Sequence, residues 1–131
     1  MAVKRIDPEN IVKTAAKYSQ GILIEKERKR LIISGQTGLK PDGTMERTTK
    51  AQFERAWSNL FAVLDEAGFK KKHLVKITAY VSEPGQIATF REIRDRVLDG
   101  HLCAATFMQV VGFATPEIKV EIEGEAVKEH P

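Results

Sequence analysis

Three glutamates spaced by two, Glu121, Glu123 and Glu125, stand near the end of a 131-residue chain. On an extended strand that spacing puts all three carboxylates on one face, where a carboxylate can orient or deprotonate a water. A solvated strand face shows the same pattern, so the row alone does not choose between the two. His101 and Cys103 have the same i, i+2 spacing and offer two metal-ligand types on one face. Two ligands do not make a zinc site, and no metal is expected. His73, His101 and His130 formally allow a Ser–His–Asp arrangement, but no nucleophile-elbow sequence accompanies them. Tyr18 reads either as a cleft residue or as an anchoring aromatic with its hydroxyl satisfied. Ser34-Gly35 reads as cleft wall or as turn chemistry.

These side chains need elements to hold them. Gly21 to Glu25 and Arg30 to Ser34 are short runs rich in isoleucine and leucine, separated by the charged Lys26 to Lys29, and they read as a hairpin. Gly35 to Thr44 contains three glycines and Pro41-Asp42-Gly43, which requires loop with a tight turn. Thr48 or Thr49 can then cap a helix whose apolar face is Phe53, Trp57, Leu60, Phe61 and Leu64, with Gly68 as its stop. His73 to Ser82 alternates as a strand. After Pro84-Gly85, Ile87, Phe90, Ile93 and Val97 mark the buried stripe of a second helix ending at Gly100. Ala104 to Val111 and Ile118 to Ala126 complete the set as strands. The order predicts an α+β fold, two helices on one face of a mixed sheet, with right-handed strand–helix–strand crossings. Runs such as Leu31-Ile32-Ile33 are apolar on both alternating sets, so the second sheet face is expected to be covered, most simply by oligomerisation.

Composition bounds the rest. The length suits one domain, spanning 1–131. With 42% hydrophobic and 30% charged residues the chain is an ordinary globular one, without a run long enough to span a bilayer. Met1 to Lys17 lacks the continuous apolar stretch of a signal peptide, and the lone Cys103 cannot form an internal disulfide; a cytoplasmic location is expected. The net charge of +3 gathers at Lys26 to Arg30 and Lys70 to Lys72. Both clusters are short and lack interleaved aromatics, and they read as solvated turns rather than a nucleic-acid surface.

Tyr18-Ser19-Gln20-Gly21, Ile33-Ser34-Gly35-Gln36-Thr37-Gly38 and Asn59-Leu60-Phe61-Ala62-Val63-Leu64-Asp65-Glu66-Ala67-Gly68 resemble the RidA (YjgF) family in wording and spacing. So do Val75-Lys76-Ile77-Thr78-Ala79-Tyr80-Val81, Met108-Gln109-Val110 and Val120-Glu121-Ile122-Glu123-Gly124, in order from about Tyr18 to Val127. The resemblance implies a chorismate-mutase-like fold and a homotrimer with one small-molecule cleft at each subunit interface. It implies hydrolysis of reactive enamines and imines to 2-keto acids and ammonia, with no metal or organic cofactor. Carried over by position, Glu121 is the residue that activates water, while Tyr18, Ser34, Gly35, Ala105, Thr106 and Phe107 line the cleft.

The sequence departs from the family at the arginine that grips the substrate carboxylate. The Pro-Ala-Arg-(Ser/Thr) pattern falls on Cys103-Ala104-Ala105-Thr106, so Ala105 replaces the guanidinium. Losing one member of such a pair costs about 2–5 kcal/mol, roughly 30-fold to several-thousand-fold in binding. No arginine follows Arg96, so a shift of register would not restore one. Arg47, Arg91 and Arg94 are the candidates for an anchor placed elsewhere.

Three functions follow in order: a divergent hydrolase or deaminase on a small metabolite, such as another imine, an aminomuconate-like compound or a cyclic amide; a non-catalytic metabolite sensor; and an endoribonuclease or translation inhibitor, as described for some relatives. The weak basic clusters place RNA last. Protein purified free of nucleases is therefore expected to leave a labelled RNA intact; cleavage abolished by Glu121→Ala would reverse this order.

Overall fold

The computed structural model describes residues 3–10 and 16–129. Its principal sheet contains four strands: β3 (Lys29–Gln36), β4 (Leu74–Val81), β5 (Ala104–Gln109) and β6 (Val120–Lys128). Their order is β3-β6-β4-β5, with β6 antiparallel to both neighbours and β4 parallel to β5. Helices α1 (Thr49–Glu66) and α2 (Ile87–Leu98) follow β3 and β4 and supply the core with the sheet. The α+β architecture anticipated from the periodicities is present. No helix among the described residues is long and apolar enough to cross a membrane.

The expected hairpin is not. Strand β2 (Gly21–Ile24) pairs antiparallel with β1 (Val3–Ile6) as a separate two-stranded ribbon, and β3 pairs with β6 instead. The nine-residue β6 offers β3 a longer ladder than the four-residue β2 can, and Arg28 N–H donating to the Lys128 carbonyl leads the chain onto it. Charge in Lys26 to Lys29 marked a connection without specifying the tight turn a hairpin needs.

Thr48 caps α1, its hydroxyl accepting from Ala51 N–H. Phe53, Trp57, Leu60 and Leu64 are fully or almost fully buried on its inner face, each contributing about 1.5–3 kcal/mol in hydrophobic transfer. Gly124 brings β6 close under this helix: a Cβ there would lie 3.0 Å from the Lys76 carbonyl and 3.6 Å from Leu60. Polar side chains of α1 hold the loop after β3. Gln52 donates to the carbonyls of Glu46 and Glu117 and accepts from Lys119 N–H, while Asn59 donates to those of Thr37 and Leu39. The inner stripe of α2 is Phe90, Ile93, Arg94 and Leu98, whereas the predicted Ile87 is 39% exposed.

The face away from the helices corrects a second expectation. Directly paired residues share a face, so Tyr80 and Met108 join Glu121, Thr78 and Thr106 join Glu123, and Lys76 and Ala104 join Glu125. Ile32 sits opposite Glu125 and is 63% exposed. This face is largely polar, with Ile32 and Met108 as its exposed large hydrophobics. The run Leu31-Ile32-Ile33 suggested apolar character on both sides, but most companion positions on β4, β5 and β6 are hydroxyls and charges, with Ala104, Met108 and Val127 as the exceptions.

Candidate functional site

The predicted site residues divide between the two sides of the sheet. On the open side, Glu121 leans over Gly35, where a β-bulge between Ile33 and Gln36 shifts the β3–β6 register. A Cβ at Gly35 would stand 2.6 Å from Glu121 Cδ, so only glycine leaves this carboxylate its position. Ser34 is exposed beside it, with its carbonyl accepting from Gln36 Nε2. Two strands away, on β5, Thr106 accepts from Lys76 Nζ at 2.7 Å. Between them Tyr80, paired across from Glu121, donates its hydroxyl to Glu123 at 2.7 Å. That hydrogen bond, then burial and the neighbouring carboxylate charges, raise the Tyr80 pKa and keep the phenol protonated.

On the helix side, Ala105 and Phe107 face α2, where the Phe107 and Phe90 rings lie 4.9 Å apart. Ser19 bridges to Ala104, and its N–H donates to the Cys103 carbonyl, bringing Tyr18 alongside this strand. Tyr18, Ala105 and Phe107 thereby line a cleft of about 230 Å³ with Ala16, Ile87, Arg91 and Arg94. Arg94 is 4% exposed, pairs with Asp95 at 3.1 Å and lies over the Phe90 ring. Arg91 is exposed and has no ion-pair partner among the described residues. Ile87, Arg91 and Arg94 follow i, i+4, i+7 spacing, which sets them on one helical face beside the core stripe. That spacing was the available signal for a cationic cleft wall on α2. Arg47 is exposed in the loop before α1, against a different cavity.

The other sequence candidates are not assembled into a site. Cys103 is buried, and burial pushes its thiol up to about 11, which leaves it a protonated core residue at neutral pH. His101 donates Nε2–H to the Leu74 carbonyl at 2.7 Å. Among the described residues no three His, Cys, Asp or Glu side chains converge as metal ligands. His130 lies outside the described residues.

With this geometry the comparisons with known proteins agree on a family. The endoribonuclease L-PSP model matches residues 8–128. The chain belongs to that family, the RidA/YjgF family its motifs resemble. It is 34% identical over 130 residues to protein DfrA of Myxococcus xanthus, covering 97% of each chain. It is 27% identical over 128 residues to the 2-iminobutanoate/2-iminopropanoate deaminase of Salmonella typhimurium, covering 95% of this chain and 98% of that one. The crystal structure of YyfB, a Rid-family protein from Yersinia pestis, superposes with a TM-score of 0.88 at 25% identity, covering 98% of this chain and all of YyfB.

Contact between Gly35 and Glu121 yields a double-mutant test. Gly35→Ala is expected to push the Glu121 side chain aside at a cost of only about 0.5–1 kcal/mol in urea unfolding, because a Cβ there would meet the flexible end of that side chain, and adding Glu121→Ala should recover most of that loss. Strict additivity of the two changes would show that the side chains do not meet.

Proposed function

We propose that this RidA-family chain is a homotrimer that binds a small anionic metabolite in a cleft between subunits and acts on it as a divergent hydrolase. Tyr18, Ala105, Phe107 and Arg91 form one wall, and Glu121 of the partner subunit, with Ser34, Gly35 and Thr106 of its open sheet face, forms the other. The support for an intersubunit site is steric. In one chain Glu121 and Ala105 stand on opposite sides of a continuous sheet, separated by β4. A second copy is needed to bring a carboxylate against the Ala105 wall.

The observation carrying the substrate assignment is that Ala105 shares its cleft with Arg91. A methyl group at 105 removes the fork that grips a carboxylate from β5. A guanidinium on α2 with no ion-pair partner among the described residues retains attraction for an anion while displacing where that anion sits. Such a cleft holds a short 2-imino acid out of line with the water at Glu121, and near-attack geometry is sensitive to displacements of about 1 Å. It suits an anionic substrate of different shape. In the hydrolysis, Glu121 takes a proton from water as the oxygen adds to the C=N carbon; the nitrogen, once protonated, leaves as ammonia and a C=O remains.

A binding-only reading has its own support: on the Ala105 wall Arg91 provides affinity, and among its described lining residues Tyr18 carries the hydroxyl while none is a carboxylate or histidine. In that case the trimer is a metabolite sensor. The endoribonuclease reading attached to the family name finds no cationic track beside Glu121, whose row holds Tyr80 and Met108.

A coupled amino-acid oxidase assay separates these readings. The wild-type chain is expected to accelerate 2-imino acid hydrolysis feebly, and Arg91→Ala to weaken 2-oxobutanoate binding roughly tenfold or more. Robust imine hydrolysis that survives Arg91→Ala would show that neither the loss at 105 nor the anchor on α2 governs the site.

A further inference from the structure

A second cavity lies away from that cleft and shares none of its described lining residues. It occupies about 750 Å³ between the β1–β2 ribbon and the end of the sheet where β4 begins and β6 finishes. Val3, Ile22, Leu74, Val75 and Leu102 give it apolar walls. Arg5, Lys70, Lys72, His73, His101 and Lys128 bring basic groups to the same space. Glu129 is the carboxylate among the described lining residues, against four permanent cations.

From the convergence of these cations on a concave, partly apolar space we infer a second binding site, for a small phosphorylated molecule with a compact apolar body. The volume falls within the usual range of about 300–1,000 Å³ for small-molecule sites, which are likewise apolar with a few placed polar groups. Like charges gathered in one place repel, and an anion relieves that repulsion. A dianionic phosphate ester matches an excess of several cations better than a monocarboxylate, and lysine serves phosphate as a point charge.

His73 contributes a directed donor, whereas His101 Nε2–H is already given to the Leu74 carbonyl. His73 Nδ1 accepts from Lys70 N–H at 2.8 Å, which places the ring proton on Nε2. Burial, then the nearby Lys128, Lys72, Lys70 and His101, depress the His73 pKa, so three lysines act together on one ring. Some are partly committed: Lys128 donates to the Gly68 carbonyl and lies over Phe69, and Arg5 meets Ser19 and Asp7. Lys70 and Lys72 form no ion pair among the described residues. The Lys70 to Lys72 cluster, which reads from sequence as a solvated turn, is thus one wall of a cavity.

Phenyl phosphate, inorganic phosphate and a single-stranded RNA serve as probes in calorimetric titrations of the full chain. Phenyl phosphate is expected to saturate at one per chain and to bind more tightly than inorganic phosphate. Lys70→Glu with Lys72→Glu should weaken it roughly tenfold or more, whereas Arg91→Ala should leave it unchanged. Bound phosphate should also raise the His73 pKa in an NMR titration. The assignment is overturned if binding does not saturate, if the double charge reversal has no effect, or if RNA displaces phenyl phosphate with an affinity that grows with RNA length. It is also overturned if Arg91→Ala abolishes binding, because the phosphate would then occupy the other cleft. Circular dichroism confirms that each variant remains folded, so a loss of binding reports on the cavity.

Discussion

Period-two alternation along β6 is the constraint on which the molecule depends. Val120, Ile122, Gly124 and Ala126 face the helices and are buried, while Glu121, Glu123 and Glu125 face the other way. One strand thereby carries both the floor of the hydrophobic core and the row of carboxylates. A slip of one residue would exchange these sets, burying three charges and exposing the core. Packing of α1 over Gly124 fixes the register, and so fixes Glu121 against Gly35 without a contact to any functional group. Stability and site geometry are properties of the same ladder.

That constraint explains what the sequence made legible. Helical spacing in Phe53, Trp57, Leu60 and Leu64 and alternation in Leu74 to Val81 are burial patterns, and burial follows from local periodicity. Pairing is less local. The β2 and β3 runs were both recognisable as strands, but their partners, β1 and β6, were set by ladder length and by backbone contacts remote in sequence. Ile32 misled for a related reason: one apolar residue on an open face resembles a covered face when the paired residues on the neighbouring strands are unknown. Arg47, Arg91 and Arg94 were all candidates for a displaced anchor, but which of them meets Ala105 follows only once Tyr18 is brought beside β5 by the Ser19 bridge.

Ala105 and Arg91 together describe how a cleft can change its ligand without changing its fold. A guanidinium on β5 would share its strand with Phe107 and be held rigidly by the sheet. On α2 the cation stands on the neighbouring helix, on an exposed turn, so it attracts an anion with less directional control. Arg94 differs from Arg91 in having its charge already matched by Asp95 and its guanidinium over the Phe90 ring, which makes it wall rather than anchor. The chemistry proposed here therefore depends on an arginine that binds and a glutamate that acts, which the proposal assigns to different chains.

Chain-to-chain cross-linking measures that separation directly. In a Cys103→Ser background carrying Ala105→Cys and Glu121→Cys, a short bismaleimide reagent cannot pass through the sheet within one subunit. The account predicts covalent dimers and trimers on a denaturing gel, which disappear when either engineered cysteine is omitted. A product that remains monomeric at protein concentrations well above assembly, with both thiols modified, would contradict the intersubunit site.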